Sequence, residues 1–164
     1  KTMSTINGVG YPLYNGFGMT EIGVTSVELS PNVYDRLQGS IGKPLHGVSY
    51  KLKTNGDDKD MGELFVKSPI THIREIIGGV EKEVQFDEEG YFPTGDIASR
   101  DSFGRYYIKG RIKDIIINAD GENVFPDELE LFFKKIPHVI NLCILGIDIG
   151  NIDIIVQIKI NPII

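Results

Sequence analysis

A single cysteine, Cys143, occurs in the 164-residue sequence, so no disulfide can form within it and a zinc site built on cysteines is excluded. The sequence also lacks an Asn-x-Ser/Thr acceptor, an N-terminal stretch of the signal-peptide type and an apolar run long enough to span a bilayer. These absences favour a cytoplasmic protein without a membrane span. No feature of the sequence indicates an oligomeric state.

A surplus of positive charge is missing too. The sequence has 17 lysines and arginines against 23 aspartates and glutamates, a net charge of -6, and no Lys/Arg block. Nucleic acid and anionic membrane surfaces are therefore not expected as partners. A polyphosphate ligand would need Mg²⁺, or positive charge from protein outside this chain. The hydrophobic content of 41% is enough for a packed core.

The pattern of short apolar runs changes near residues 110–114. Before this point, several β-strand patterns separated by turn residues predict a small barrel or sandwich. After it come a short apolar strand, a helix beginning near Pro126 and two further strands. Pro137 is expected to end the helix.

The expected fold is therefore mixed α+β. Residues 1–112 are predicted to form a small β-rich, distorted barrel-like subdomain, and residues 113–164 the start of a small α/β domain. Because the sequence starts at Lys1 and stops directly after an apolar run, both ends are expected to be cut ends.

The first candidate site is the run Tyr-Asn-Gly-Phe-Gly-Met-Thr-Glu. Phe17, between Gly16 and Gly18, could stack on a flat base that the backbone approaches closely. Thr20 could bind a phosphate oxygen, and Glu21 could hold a hard cation such as Mg²⁺. For this run alone, a turn with a core aromatic is an equally good interpretation.

Two further candidates lie downstream. Asp96 follows a glycine at a strand start, where its carboxylate could accept both hydrogen bonds of a ribose diol, although a turn aspartate that caps its own backbone is the simpler interpretation. Arg111 is a permanent cation that could bind ribose or phosphate oxygens, with a surface ion pair as the alternative. Gly121 lies in a tight turn ahead of the helix. The three histidines have no ligand-like spacing, and Cys143 is expected to be a small core residue.

Together and in this order, these stretches resemble the adenylate-forming superfamily, which comprises acyl- and aryl-CoA ligases, peptide-synthetase adenylation domains and luciferases. Residues 39–48 and 62–64 match as well, so the resemblance covers nearly the whole chain. It implies an enzyme that activates a carboxylic acid with MgATP to acyl-AMP and then transfers the acyl group to the thiol of coenzyme A.

The resemblance also implies roles for single residues. The family's aromatic at Phe17, more often a tyrosine, stacks on adenine. Its threonine at Thr20 contacts the AMP phosphate, and its glutamate at Glu21 binds Mg²⁺. Its aspartate at Asp96 and its arginine at Arg111 hold the ribose.

Two more roles concern domain motion. The residue at Lys113 is the hinge about which the family's C-terminal domain swings between adenylation and thioester formation. Gly121 would border the pantetheine channel in the second state. The string Asp-Gly-Glu-Asn-Val-Phe-Pro around Gly121 resembles the CoA-ligase branch, for which fatty-acyl substrates are expected.

Two elements of the family are missing from these 164 residues: the Ser/Thr/Gly-rich phosphate loop and the catalytic lysine motif. The chain alone is therefore expected to be inactive. Two alternatives stay open, a non-catalytic module that binds nucleotide or a partner protein and a ligase that loads a carrier protein. The complete reading frame would distinguish them. A phosphate loop upstream and a Gly-Lys motif downstream favour the enzyme, start and stop codons flanking these residues favour the binding module, and a carrier domain downstream favours the carrier-protein ligase.

Overall fold

The computed structural model describes residues 2–54, 59–70, 74–77, 80–117, 123–137, 139–148 and 152–160. Its internal contacts divide the chain into two compact units, Lys1–Ile108 and Lys109–Ile164. Across the described ranges, no helix is long and apolar enough to cross a bilayer.

The first unit is built mainly from antiparallel strands. Its elements are α1 (Thr2–Gly8), β1 (Gly16–Met19), β2 (Gly23–Val27), α2 (Val33–Leu37), β3 (Lys43–Pro44), β4 (Ser49–Lys53), β5 (Met61–Lys67), β6 (Arg74–Ile77), β7 (Val80–Glu83), β8 (Phe92–Arg100) and β9 (Tyr106–Arg111), whose last residues belong to the second unit. They form a three-stranded sheet ordered β1-β2-β3, a four-stranded sheet ordered β4-β5-β8-β9 and the hairpin β6–β7.

One hydrophobic core serves the two larger sheets. Its buried members are Ile22, Ile41, Leu64, Val66, Ala98 and Tyr106. Side chains of β1 and β4, among them Phe17 and Tyr50, pack against it from the edges. Burying this apolar surface is the main force that holds the sheets together.

The mixed, β-rich fold class is confirmed, but the strands do not close into the expected barrel. In the described part of the chain, the two larger sheets stay open and are linked by an isolated bridge between Gly42 and Tyr106. Strand β3 is only two residues long and ends in Pro44, which has no N–H to donate to a further strand. The bridge nevertheless joins the residue before β3 to β9, and within the described residues no ladder pairs the outer strands β1 and β4, so the barrel is not closed there.

In the second unit, the end of β9 is followed by a 3₁₀ turn at Ile112–Asp114 and by β10 (Ile116–Ile117), β11 (Asn123–Val124), α3 (Pro126–Phe133), β12 (Val139–Asp148) and β13 (Ile152–Ile160). Strands β10 and β11 pair with each other, β12 and β13 form a hairpin, and α3 packs against β12. The expectation that Cys143 is a core residue is wrong. It is exposed, because the alternation along β12 buries its neighbours Leu142 and Ile144 instead.

Candidate functional site

The first candidate run forms β1 and the turn after it. Phe17 pairs with Ser26 and Gly18 with Val24, so Thr25 is an extra residue on β2 opposite the step between them. Such a β-bulge bends the strand and redirects its side chains. Phe17 is half-buried against the core.

The bulged residue Thr25 holds the backbone of Phe17. Its side chain is fully buried, and its hydroxyl lies 3.2 Å from the Phe17 carbonyl oxygen and 2.5 Å from the Tyr50 hydroxyl. Burial raises the pKa of Tyr50, so this phenol stays neutral near pH 7. The Tyr50 ring meets Tyr106 edge-on, with 5.0 Å between centroids. The hydrogen bonds of Thr25 therefore hold in place the backbone from which the Phe17 ring projects.

The packing of the hairpin explains why position 18 is a glycine. A Cβ atom there would lie 2.5 Å from the carbonyl oxygen of Gly23 and 2.9 Å from the Cα atom of Val24. At Gly16 the nearest atom to such a Cβ is the Ser26 carbonyl oxygen, at 3.0 Å. The close approach of strand β2 therefore accounts for these glycines without invoking a bound base.

The turn between β1 and β2 presents Thr20 and Glu21. The turn is anchored by Ile22, which is fully buried and donates its N–H to the Met19 carbonyl oxygen at 3.2 Å. The Ser68 hydroxyl donates to the Ile22 carbonyl oxygen at 3.3 Å. Thr20 is exposed and Glu21 half-buried, so a hydroxyl and a carboxylate project from an anchored turn.

A single carboxylate at this turn is compatible with Mg²⁺. Among the residues that the structure describes, no group of three or more His, Cys, Asp or Glu side chains could hold a metal ion by itself. Mg²⁺ is usually bound by one or two carboxylates together with substrate phosphates and water. A single carboxylate such as that of Glu21 can therefore be one ligand of such an ion.

Asp96 lies in β8 of the same unit and is only 4% exposed. It shares a strand face with Ala98, a member of the core against which Phe17 packs. The unit thus places the aromatic ring of the first motif and the carboxylate of the second around one core.

The remaining predicted residues belong to the second unit. Arg111 is the last residue of β9 and is exposed. Lys113 is exposed in the 3₁₀ turn and lines, with Glu130 and Cys143, a cleft of about 640 Å³. Gly121 lies outside the described residues.

Sequence reasoning missed the residues that support the site, Thr25, Tyr50 and Thr94. Each is an ordinary strand residue in the sequence, and its role depends on a strand that is distant along the chain. It also missed a cleft of about 570 Å³ on the first unit, lined by Glu28, Lys43 and Arg105 among others. None of the predicted site residues lines this cleft.

No family model matches the chain. The 2-succinylbenzoate–CoA ligase of Staphylococcus epidermidis is 35% identical over 136 residues, which are 83% of this chain and 28% of the ligase. The ligase of the same name from Bacillus licheniformis is 33% identical over 140 residues, 84% of this chain and 29% of the ligase. This chain belongs to the adenylate-forming enzyme superfamily. It spans about 28% of the length of these relatives.

The fold agrees with that of solved members of the adenylate-forming superfamily. O-succinylbenzoate coenzyme A synthetase from Bacillus subtilis, in complex with ATP and magnesium ion, has a TM-score of 0.75 and 25% identity, covering 96% of this chain and 34% of that one. The same enzyme with its acyl-adenylate intermediate has a TM-score of 0.77 and 25% identity, and the match covers 99% of this chain and 34% of that one. The similarity thus extends over both units of the chain.

Proposed function

We propose that this chain is the nucleotide-holding part of an ATP-dependent carboxylic acid:CoA ligase. The observation that carries the proposal is the 35% identity over 83% of the chain to a CoA ligase, joined to a hairpin that presents Phe17, Thr20 and Glu21 in sequence from an anchored base. We place the functional boundary between residues 112 and 113, a few residues after the division between the two compact units at Ile108.

In the proposed reaction, a carboxylate oxygen attacks the α-phosphorus of ATP, and pyrophosphate leaves. The thiol of coenzyme A then attacks the acyl carbon, and AMP leaves. The residues of this chain would act by positioning and by charge complementarity, since this chemistry asks for little covalent help from the protein.

Each residue has one task in this scheme. The ring of Phe17 would stack on adenine, Thr20 would donate to the α-phosphate, and Asp96 and Arg111 would bind the ribose hydroxyls. Glu21 would hold Mg²⁺, which neutralises charge on the phosphates. Lys113 would be the hinge, and Gly121 would border the channel for the thiol substrate.

The acid is proposed only as a class. The relatives are named for 2-succinylbenzoate, which is an aromatic acid. The sequence, in contrast, led us to expect fatty-acyl substrates. The fatty-acyl class and the cytoplasmic location stay predictions. A panel of aromatic and aliphatic acids therefore belongs in the first assay.

The assay is pyrophosphate release by the protein of the complete reading frame, with mass spectrometry of the CoA thioester. We expect release that depends on an acid and a thioester that depends on CoA. The 164-residue chain alone should release none, because it contains neither the phosphate loop nor the lysine motif. No release by the complete protein with any acid would contradict the ligase proposal, and release by the short chain would contradict the assignment of the missing elements.

Asp96→Ala tests the site within that protein. Losing a hydrogen bond to a charged group costs roughly 1.5–3 kcal/mol. We therefore expect ATP to bind about one to two orders of magnitude more weakly, as measured by isothermal titration calorimetry. An unchanged affinity in the folded variant would argue against the ribose role of Asp96.

A further inference from the structure

Strand β8 carries a bulge at the candidate ribose residue. Across β5 and β8, Phe65 pairs with Pro93 and Glu63 pairs with Ile97. A single residue of β5, Leu64, therefore faces three residues of β8. These three are Thr94, Gly95 and Asp96. A regular antiparallel ladder would place one residue of β8 opposite Leu64. Two extra residues therefore interrupt the ladder here.

The side chain of Thr94 supplies hydrogen bonds within this interruption. Its hydroxyl donates to the Leu64 carbonyl oxygen at 2.8 Å. The N–H of Asp96 donates to the same hydroxyl oxygen at 3.1 Å. Thr94 and Asp96 are each only 4% exposed, so these backbone groups are sheltered from solvent and need such a partner. One hydroxyl therefore bridges β5 and the backbone of Asp96.

The residue between them supplies the backbone geometry. Gly95 has a φ of +71°, a conformation that residues with a Cβ atom rarely adopt. A Cβ atom built there would meet nothing within 4 Å, so conformation rather than space calls for glycine. With Gly95 turned in this way, both Thr94 and Asp96 have buried side chains opposite Leu64.

We propose that Thr94 is a positioning residue for nucleotide binding. Its hydroxyl holds the bulge that fixes the Asp96 carboxylate toward the ribose diol. The inference rests on the proposed ribose role of Asp96. Thr94 itself need not touch the nucleotide, so its effect should appear as lost selectivity for the diol rather than as weaker binding of every nucleotide.

The test compares the affinities of ATP and of 2′,3′-dideoxy-ATP for the complete protein. Unmodified protein should prefer ATP by about tenfold or more, and Thr94→Val, which keeps the shape and removes the hydroxyl, should bring this ratio close to one. Thr94→Ser should keep the ratio. Ser99→Ala, on the same strand, is the matched control and should leave it unchanged. Combined with Asp96→Ala, the Thr94→Val change should lower the ratio no further.

Each outcome has a separate meaning. If Thr94→Val lowers the melting temperature but leaves the ratio of the two nucleotide affinities unchanged, the positioning role is overturned and Thr94 is purely structural. A ratio of one in the unmodified protein would overturn the ribose assignment of the proposed function, and with it the role of Thr94. If Thr94→Val does not fold, Gly95→Ala distorts the same bulge with the hydroxyl present. An unchanged ratio in that variant would overturn the proposal.

Discussion

Gly18 and Gly95 are both glycines next to proposed ligand-binding residues, but for different reasons. A side chain at Gly18 would run into the backbone of strand β2, whereas Gly95 has free space and an unusual φ. The two positions should therefore respond differently to alanine. Gly95→Ala strains the backbone locally, and Gly18→Ala forces two strands apart.

Gly18→Ala should lower the free energy of unfolding by about 1–3 kcal/mol, the usual cost of forcing extra atoms into a packed site. The measurement is urea unfolding of the chain. Gly8→Ala is the control, because a Cβ atom at that position in α1 would meet nothing within 4 Å and alanine favours helix. Equal stability of Gly18→Ala and the unmodified chain would show that the hairpin can relax.

Sequence reasoning singled out Phe17, Thr20 and Glu21 as candidates because they are close together and chemically distinctive. It could not find Thr25 or Thr94. The partner of Thr25, Tyr50, is 25 residues away, and Leu64 is 30 residues from Thr94. A bulge depends on the register of two strands, and no local pattern in either strand encodes it.

Among the elements, the turn before β8 is held by an ion-pair cluster. The Lys51 ammonium lies 2.7 Å from the Asp87 carboxylate and 3.1 Å from that of Glu89. It also lies 4.8 Å from the centroid of the Tyr91 ring. Asp87 accepts hydrogen bonds from the backbone N–H groups of Glu89 and Tyr91, which closes the turn. Strand β4 thereby fixes the start of the strand that carries Asp96.

The cluster predicts a dependence of stability on pH. The hydrogen bond from Lys51 holds the pKa of Asp87 below its usual range, so the stabilisation is present above the unfolded pKa of about 3.9 and is lost as pH falls through the lower folded value. The hydrogen bond to Asp87 raises the pKa of Lys51. That contribution is complete below about pH 10.4 and is lost as pH rises through the higher folded value.

Lys51→Met should therefore flatten the loss of thermal stability between about pH 5 and pH 3. Melting temperatures of the chain at a series of pH values measure this. Arg74→Met is the control, because the side chains of Arg74 and Glu81 are each 60% exposed and exposed ion pairs contribute little to stability. Parallel pH curves for Lys51→Met and the unmodified chain would contradict the prediction.

Element ends were harder to predict than element types. Helix α3 begins at Pro126 as expected, but it ends at Phe133 rather than at Pro137. After Phe133 the N–H groups of Lys135 and Ile136 bond to carbonyls three residues back, which tightens the chain out of the α-helix. Ile136, which lies beyond the last helical residue, is 45% exposed. Apolar spacing predicts a helix but does not predict where its hydrogen-bond pattern changes.

At the scale of the whole molecule, the proposed hinge at Lys113 lies near the start of the second unit, directly after β9. Lys113 lies in a three-residue 3₁₀ turn with an exposed side chain, and hinge motions concentrate φ/ψ changes in such terminal residues. Proline at this position fixes its φ near -65° and restricts Ile112.

Lys113→Pro in the complete protein should trap one conformation. We expect thioester formation to fall far more than adenylation. Acyl-AMP formation and thioester formation from supplied acyl-AMP are measured separately, on variant protein shown to be folded. Lys113→Ala is the control, since it removes the charge and keeps the backbone free. Equal losses in both half-reactions, in step with lower stability, would remove the hinge assignment.

The fully buried Ile22 has a consequence for assay design. It joins the turn that carries Thr20 and Glu21 to the hydrophobic core, so this turn cannot open without disturbing the centre of the first unit. A ligand held by the turn would therefore stabilise the unit as a whole, by about 2.7 kcal/mol at a concentration of 100 times its Kd. A melting curve recorded with each candidate nucleotide would then report binding directly, without a label and before any substrate acid is known.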